Sequence, residues 1–166
     1  MTKKLWCVSL EKFKQMAKEN GWTKEVPKDI AIISIINSKD VAEPGEKHVC
    51  KKADNVLNLT FDDCSPLTYK TEASAEEFEF EEGKFVKFFT PEMAKSCIEF
   101  LKKHRNKDIY VHCIAGMSRS QAFVRFALNN LHDHGWETNP NNPCLFPNGF
   151  VYQRLMEAYR DSHKDQ

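Results

Sequence analysis

The sequence lacks an excess of either charge: 24 Lys plus Arg stand against 24 Asp plus Glu, a formal net charge of zero. General affinity for nucleic acid or an anionic membrane is therefore not expected, and any anion binding has to be local. No apolar run approaches the length of about 20 residues needed to span a bilayer. Met1-Thr2-Lys3-Lys4-Leu5-Trp6 leads into a charged segment rather than a secretory core, and the closing Ser162-His163-Lys164-Asp165-Gln166 has no prenylation cysteine. The cysteines at 7, 50, 64, 97, 113 and 144 form no CxxC pair. They read as intracellular thiols rather than a disulfide framework or a zinc cage. His132-Asp133-His134 with the distant Cys144 is too weak a pattern for a metal site. Internal repeats and low-complexity blocks are also missing. A soluble, cytoplasmic protein is expected from these absences, a monomer is the expected state, and 166 residues suit one domain with a real core rather than two.

Within that domain, Ser9 is placed to cap a helix over 10–20, ended by Gly21, which reads as peripheral scaffold. Ala31 to Ile36 is a continuous apolar run, the pattern of a strand buried on both faces of a mostly parallel sheet. After a turn at Pro44-Gly45, a second strand runs through Val56 to Phe61 and ends at two acids, Asp62 and Asp63. The long stretch 64–89 shows no clear element. Its acids and interleaved phenylalanines fit either a solvated loop or small hairpin pinned by aromatics, or a lid facing a substrate. Thr90 and Pro91 open a helix that ends near His104. Ile109-Tyr110-Val111 is a short strand, 121–131 is a helix, Asn139 to Pro143 is a loop, and a last helix spans 149–160. The fold class is α/β: one domain with a central, mostly parallel sheet flanked by helices.

The stretch around which this organisation turns is His112-Cys113-Ile114-Ala115-Gly116-Met117-Ser118-Arg119-Ser120, at the junction of a strand and a helix. Backbone N–H groups at a helix N-terminus, joined by those of a tight loop turned by Gly116, make an anion nest. The same field lowers a thiol pKa from about 8.5 toward roughly 3.5 to 7.5, so Cys113 can be a nucleophilic thiolate at neutral pH. Arg119 offers a planar fork that matches two phosphate oxygens. In open α/β sheets ligands bind beyond the carboxyl ends of the strands, where both Cys113 and the Asp pair lie.

This stretch resembles the His-Cys-x5-Arg-Ser/Thr signature of the cysteine-based protein phosphatases, in particular the small dual-specificity and protein tyrosine phosphatases. Two further blocks carry the resemblance. Phe61-Asp62-Asp63 is similar to their general-acid segment, although Cys64 stands where small relatives often have Gly and the stretch to Thr90 is longer than theirs. Pro147-Asn148-Gly149-Phe150 with Gln153 is similar to a pattern that closes many of them.

The resemblance implies a phosphatase fold and a cysteinyl-phosphate mechanism without metal or cofactor. Cys113 is then the nucleophile, and Arg119 binds the phosphoryl oxygens. His112 orients the loop, Ser120 donates to the leaving thiolate, and Asp63 is the acid, with Asp62 as the alternative. Ile114, Ala115, Gly116, Met117 and Ser118 form the substrate-binding loop with Arg119, and Asn148 is a brace. With no lysine between Cys113 and Arg119, the loop suits a single phosphoryl group on a phosphoprotein rather than an inositol lipid or RNA triphosphate. Phosphotyrosine, with some phosphoserine or phosphothreonine, is the expected substrate. A phosphate-binding pseudophosphatase module is the alternative, and a sulfur-transfer enzyme on the same loop is a more distant one. Oxidation of Cys113 to a disulfide would look first to Cys64 or Cys50 as partner.

Overall fold

The computed structural model describes residues 3–41, 47–116, 118–131, 134–138 and 147–164. The expected turn at Pro44-Gly45, the loop at Asn139 to Pro143, Met117, His132-Asp133 and Cys144 lie outside the described residues.

Five strands form a parallel sheet: β1 (Lys3–Val8), β2 (Ile30–Ile36), β3 (Val56–Thr60), β6 (Asp108–His112) and β7 (Trp136–Thr138), in the order β3-β2-β6-β1-β7. All four neighbouring pairs are parallel. The apolar run of β2 is buried on both faces, as its composition predicts. Ile33 and Ile35 join the core shared with α2 (Pro91–Lys103), α3 (Arg119–Asn130) and α4 (Gly149–Lys164), while Ile32 joins Phe13 and Ala17 of α1 (Leu10–Asn20) on the other face.

The helix ends follow local chemistry. Ser9 Oγ accepts from Lys12 N–H and Gly21 closes α1 in the left-handed region at φ 73°. Thr90 Oγ1 accepts from Met93 N–H with Pro91 in the first turn of α2. β1 and β7 were not foreseen. Lys3-Lys4 masks the first, whose Leu5 and Cys7 are fully buried, and three residues are too few to show a period in the second.

The stretch 64–89 contains a short 3-10 turn, Pro66–Tyr69, and an antiparallel hairpin of β4 (Glu77–Glu81) and β5 (Lys84–Lys87), turned at Gly83. Tyr69 stacks on Phe78 at 4.9 Å between ring centroids. The interleaved aromatics thus pin the hairpin to the turn.

The strand order places the loop after β6. The chain leaves β1 by α1 over one face and leaves the adjacent β6 by α3 over the other. The carboxyl ends of these two strands therefore flank a crevice of the kind in which open α/β sheets bind ligands.

Candidate active site

The loop backbone is held by its carbonyl groups. Ile114 C=O accepts from Leu10 N–H, an orphan donor at the start of α1. Gly116 C=O accepts from Gln121 Nε2 at 3.0 Å, with the Cys7 thiol 3.6 Å away. Ser118 C=O accepts from Asn148 and Ala122 N–H. Across a trans peptide each carbonyl points opposite to the next N–H, so tying the carbonyls outside turns the amides inward. Gly116 N–H lies 3.2 Å from Cys113 Sγ. Gly116 itself has φ +74°, and a Cβ there would fall 2.7 Å from the Val8 carbonyl carbon. Only glycine allows the loop to sit this close to the end of β1. Helix α1, expected as peripheral scaffold, is thus packed against the loop, and Phe13 stacks on the His112 ring at 4.4 Å.

Cys113 is buried, and burial pushes its thiol pKa up. The hydroxyl and N–H of Ser120, the Arg119 charge and the Gly116 N–H outweigh that, so the pKa is lowered overall. Ser120 Oγ lies 3.2 Å from Cys113 Sγ and 3.1 Å from Cys7 Sγ. Cys7, rather than Cys64 or Cys50, is the described thiol that shares a partner with Cys113. Cys50 packs in the other core beside Phe13 and Trp22, and desolvation raises its pKa to about 11. Cys64 is raised to about 12 by desolvation and the neighbouring Asp62 and Asp63.

Arg119 is 3% exposed. Its Nη1 donates to Phe61 C=O at 2.6 Å, while its buried Nε has no partner among the described residues. A buried donor on a charged group costs on the order of 1–3 kcal/mol or more when left unmade. An anion beside the loop would remove that cost.

His112 is a register partner of Ser34, and its Nε2 lies 2.7 Å from Ser34 Oγ while Nδ1 lies 3.1 Å from Cys113 C=O. A carbonyl can only accept, so Nδ1 carries the proton and Nε2 accepts from Ser34. Ser34 Oγ in turn meets His48 Nδ1 at 2.8 Å, and His48 Nε2 meets Thr60 Oγ1 at 3.3 Å. Desolvation lowers the pKa of His112 to about 4 and also lowers that of His48. With its pKa lowered that far, His112 is neutral at neutral pH.

The two acids differ sharply. Asp62 is buried, and its carboxylate accepts from Ser38 N–H, Ser38 Oγ and Lys87 N–H at 2.9, 2.7 and 2.7 Å. It joins the end of β2 to β5. Asp63 is exposed, and its Oδ1 accepts from Ser118 Oγ of the loop and from Asn148 Nδ2, both at 2.8 Å. Asn148 also caps α4 through Val151 N–H. Cys113, Ser120, Gly116, Arg119, His112 and Ser118 are therefore gathered at one strand end, with Asp63 tethered beside them. Met117 lies outside the described residues.

No family model and no curated protein matches the sequence. Among solved structures, the chain is similar to DUSP15 at 18% identity, over 96% of this chain and 86% of that one, with a TM-score of 0.41. It is similar to the human tyrosine phosphatase-like serine/threonine/tyrosine-interacting protein at 17% identity, over 95% and 87%, with a TM-score of 0.41. PTPMT1 in complex with PI(5)P aligns at 13% identity, over 96% and 94%, with a TM-score of 0.40.

Sequence reasoning missed Ser34, His48, Ser38, Gln121 and Cys7. Ser34 left a signal, being one polar residue inside Ala31 to Ile36, and a buried hydroxyl in such a run needs a partner. The others sit in segments with no distinguishing pattern. No helix among the described residues is long and apolar enough to cross a membrane.

Proposed function

We propose that this chain is a single-domain, cytoplasmic phosphoprotein phosphatase that hydrolyses phosphotyrosine, with phosphoserine or phosphothreonine as further substrates, through a cysteinyl-phosphate. The observation that carries this reading is the pairing of a Cys113 thiol whose pKa is lowered with a buried Arg119 Nε that has no partner among the described residues. A nucleophile and an unsatisfied cationic donor share one loop.

In the first step Cys113 Sγ attacks phosphorus, the P–O bond to the leaving group breaks, and Asp63 supplies the proton to the departing oxygen. Asp63 Oδ2 has no hydrogen bond among the described residues, whereas Oδ1 is held by Ser118 and Asn148. The unengaged Oδ2 is the oxygen we assign to carry that proton. In the second step water attacks the phosphocysteine, Asp63 takes its proton, the P–S bond breaks, and Ser120 Oγ–H stabilises the departing thiolate. Arg119 and the loop amides bind the equatorial oxygens throughout and gain most as charge spreads over them in the transition state. The residues supply each proton and charge in this scheme.

The test is hydrolysis of p-nitrophenyl phosphate by the purified chain with EDTA present, alongside Cys113→Ser. Turnover that disappears in Cys113→Ser, with vanadate binding kept by that variant, is the expected result. A wild-type chain that binds vanadate without turning over substrate would instead be a phosphate-reading module.

A further inference from the structure

Beside Arg119 and Asp63 a cleft of about 520 Å³ is walled by Val41, Tyr69, Phe80 and Val86. Three large apolar side chains are exposed among the described residues, Val41, Leu67 and Phe80, and two of them line this cleft. Phe80 is there because of a bulge. Glu79 pairs with Phe85 and Glu81 with Lys84, so Phe80 is an extra residue with no opposite number. Bulges re-aim a side chain, and this one directs an apolar ring to the cleft that Arg119 lines.

The hairpin bearing Phe80 is fixed at its base. Phe85 N–H donates to Asp40 Oδ2 at 2.9 Å, Lys87 N–H to Asp62, and Asp62 N–H to Lys87 C=O. It is also acidic. Between residues 72 and 82 stand six glutamates and no cation. Glu77 and Glu81 pair with Lys87 and Lys84, which leaves Glu72, Glu76, Glu79 and Glu82 exposed without a cationic partner among the described residues.

We propose that the β4–β5 hairpin is a substrate-docking arm that selects phosphotyrosine carried on a cationic segment, with Phe80 and Val41 against the ring and the glutamates against flanking Lys or Arg. The proposal rests on the phosphate-binding reading of the Cys113 loop and extends it to the group that bears the phosphate. A serine phosphate would leave the apolar wall wet. An inositol lipid would bring further phosphates to a cleft whose other charged lining groups are Asp40, Asp62 and Asp63. An acidic peptide would add its repulsion to that of the arm. A ring meeting the phenylalanine and cations meeting the glutamates satisfy each observation at once.

The experiment measures binding to Cys113→Ser by calorimetry, which separates docking from turnover. The probes are inorganic phosphate and three peptides of equal length: phosphotyrosine between lysines, phosphotyrosine between glutamates, and phosphoserine between lysines. The lysine-flanked phosphotyrosine is expected to bind about tenfold tighter than the glutamate-flanked one at low salt, from a few exposed pairs worth up to fivefold each, with the ratio shrinking as salt rises. Glu79→Lys combined with Glu82→Lys should erase or invert that ratio. Phe80→Ala should weaken both phosphotyrosine peptides about three- to tenfold, and Phe80→Trp should restore them. Inorganic phosphate should bind all these variants within twofold. Equal affinity for basic and acidic peptides, or variants that weaken inorganic phosphate as much as phosphotyrosine, would overturn the docking arm. Wild-type chain without turnover, but with the peptide preferences intact, would overturn the enzymatic reading alone. Failure of every phosphate probe to bind would overturn both.

Discussion

Asp62 and Asp63 are adjacent carboxylates with opposite engagements, so the same isosteric change at each should produce opposite phenotypes. Asp62 accepts three hydrogen bonds, two from backbone N–H groups. In Asp62→Asn one oxygen becomes an NH₂, which must face a backbone N–H whichever way the amide is turned. One bond is broken and the others lose their charge assistance. Bonds to charged groups contribute about 1.5–3 kcal/mol against about 0.5–1.5 for neutral ones, so the variant should lose about 2–4 kcal/mol. For a chain of this size that is a fall in Tm of about 5–15 °C. Asp63→Asn removes charge from an exposed group with two tethers and should cost no more than about 0.5 kcal/mol. It should slow hydrolysis of phenyl phosphate by about 10²-fold or more, and of p-nitrophenyl phosphate by less, because the better leaving group needs less protonation. Urea melts report the first effect, and steady-state rates on the two esters with EDTA present report the second. A folded Asp62→Asn that has lost turnover, or an Asp63→Asn that treats both esters alike, would refute the assignment.

Gly116→Ala should fold but lose about 10²-fold in turnover, since its Cβ would meet the Val8–Ser9 backbone at 2.7–2.9 Å and must push the loop off the thiol; rates and phosphate inhibition measured together check this. Ser34→Ala leaves the buried His112 Nε2 without a donor and should cost about 1–3 kcal/mol, read in a urea melt. The ultraviolet absorbance of the Cys113 thiolate, taken as the difference from Cys113→Ser, should titrate below an ordinary thiol, and Ser120→Ala should move that midpoint upward. Because the folded pKa is depressed, the linked stability is present above the unfolded thiol pKa and falls away as pH drops through the folded value. His112 runs to lower pH: it stays neutral when folded until about 4, so its contribution is full above about 6.5 and declines between those values, visible as a loss of Tm on acidification.

Much of this architecture was legible because it rests on short-range rules. The caps at Ser9, Thr90 and Gly21 and the apolar run of β2 each follow from local chemistry. The alternation Glu77-Phe78-Glu79-Phe80-Glu81 also held a period of two, but glutamate is a poor strand former and the pattern reads equally as an acidic loop. The bulge that turns Phe80 depends on register with β5, which has no expression in the sequence of either strand. The burial of Asp62 against the exposure of Asp63 is likewise tertiary, since it depends on Ser38 and Lys87 arriving from two other segments. The lowered thiol pKa of Cys113 had a readable origin in the helix start, whereas the place of Cys7 beside Ser120 required the unforeseen strand β1.

The same distinction explains what a nine-residue motif can and cannot convey. In the proposed reaction the side chains that face the phosphate must have one chemistry, so Cys113, Arg119 and Ser120 stand out. The groups that hold the loop in shape have looser requirements. Leu10 contributes only its backbone N–H to Ile114 C=O, which any residue other than proline supplies. Asn148 contributes a backbone N–H to Ser118 C=O as well as its side chain to Asp63, so part of its role survives substitution and part does not. Gln121 must reach Gly116 C=O with a donor, but it sits third in α3 among ordinary helical residues. The hold on the loop carbonyls at 114, 116 and 118 therefore comes from residues 10, 121 and 148, which belong to three different helix starts. The field at Cys113 comes from Ser120, Arg119 and the Gly116 N–H, on a loop whose carbonyls are held from the starts of α1, α3 and α4, and the motif marks only the place where these meet.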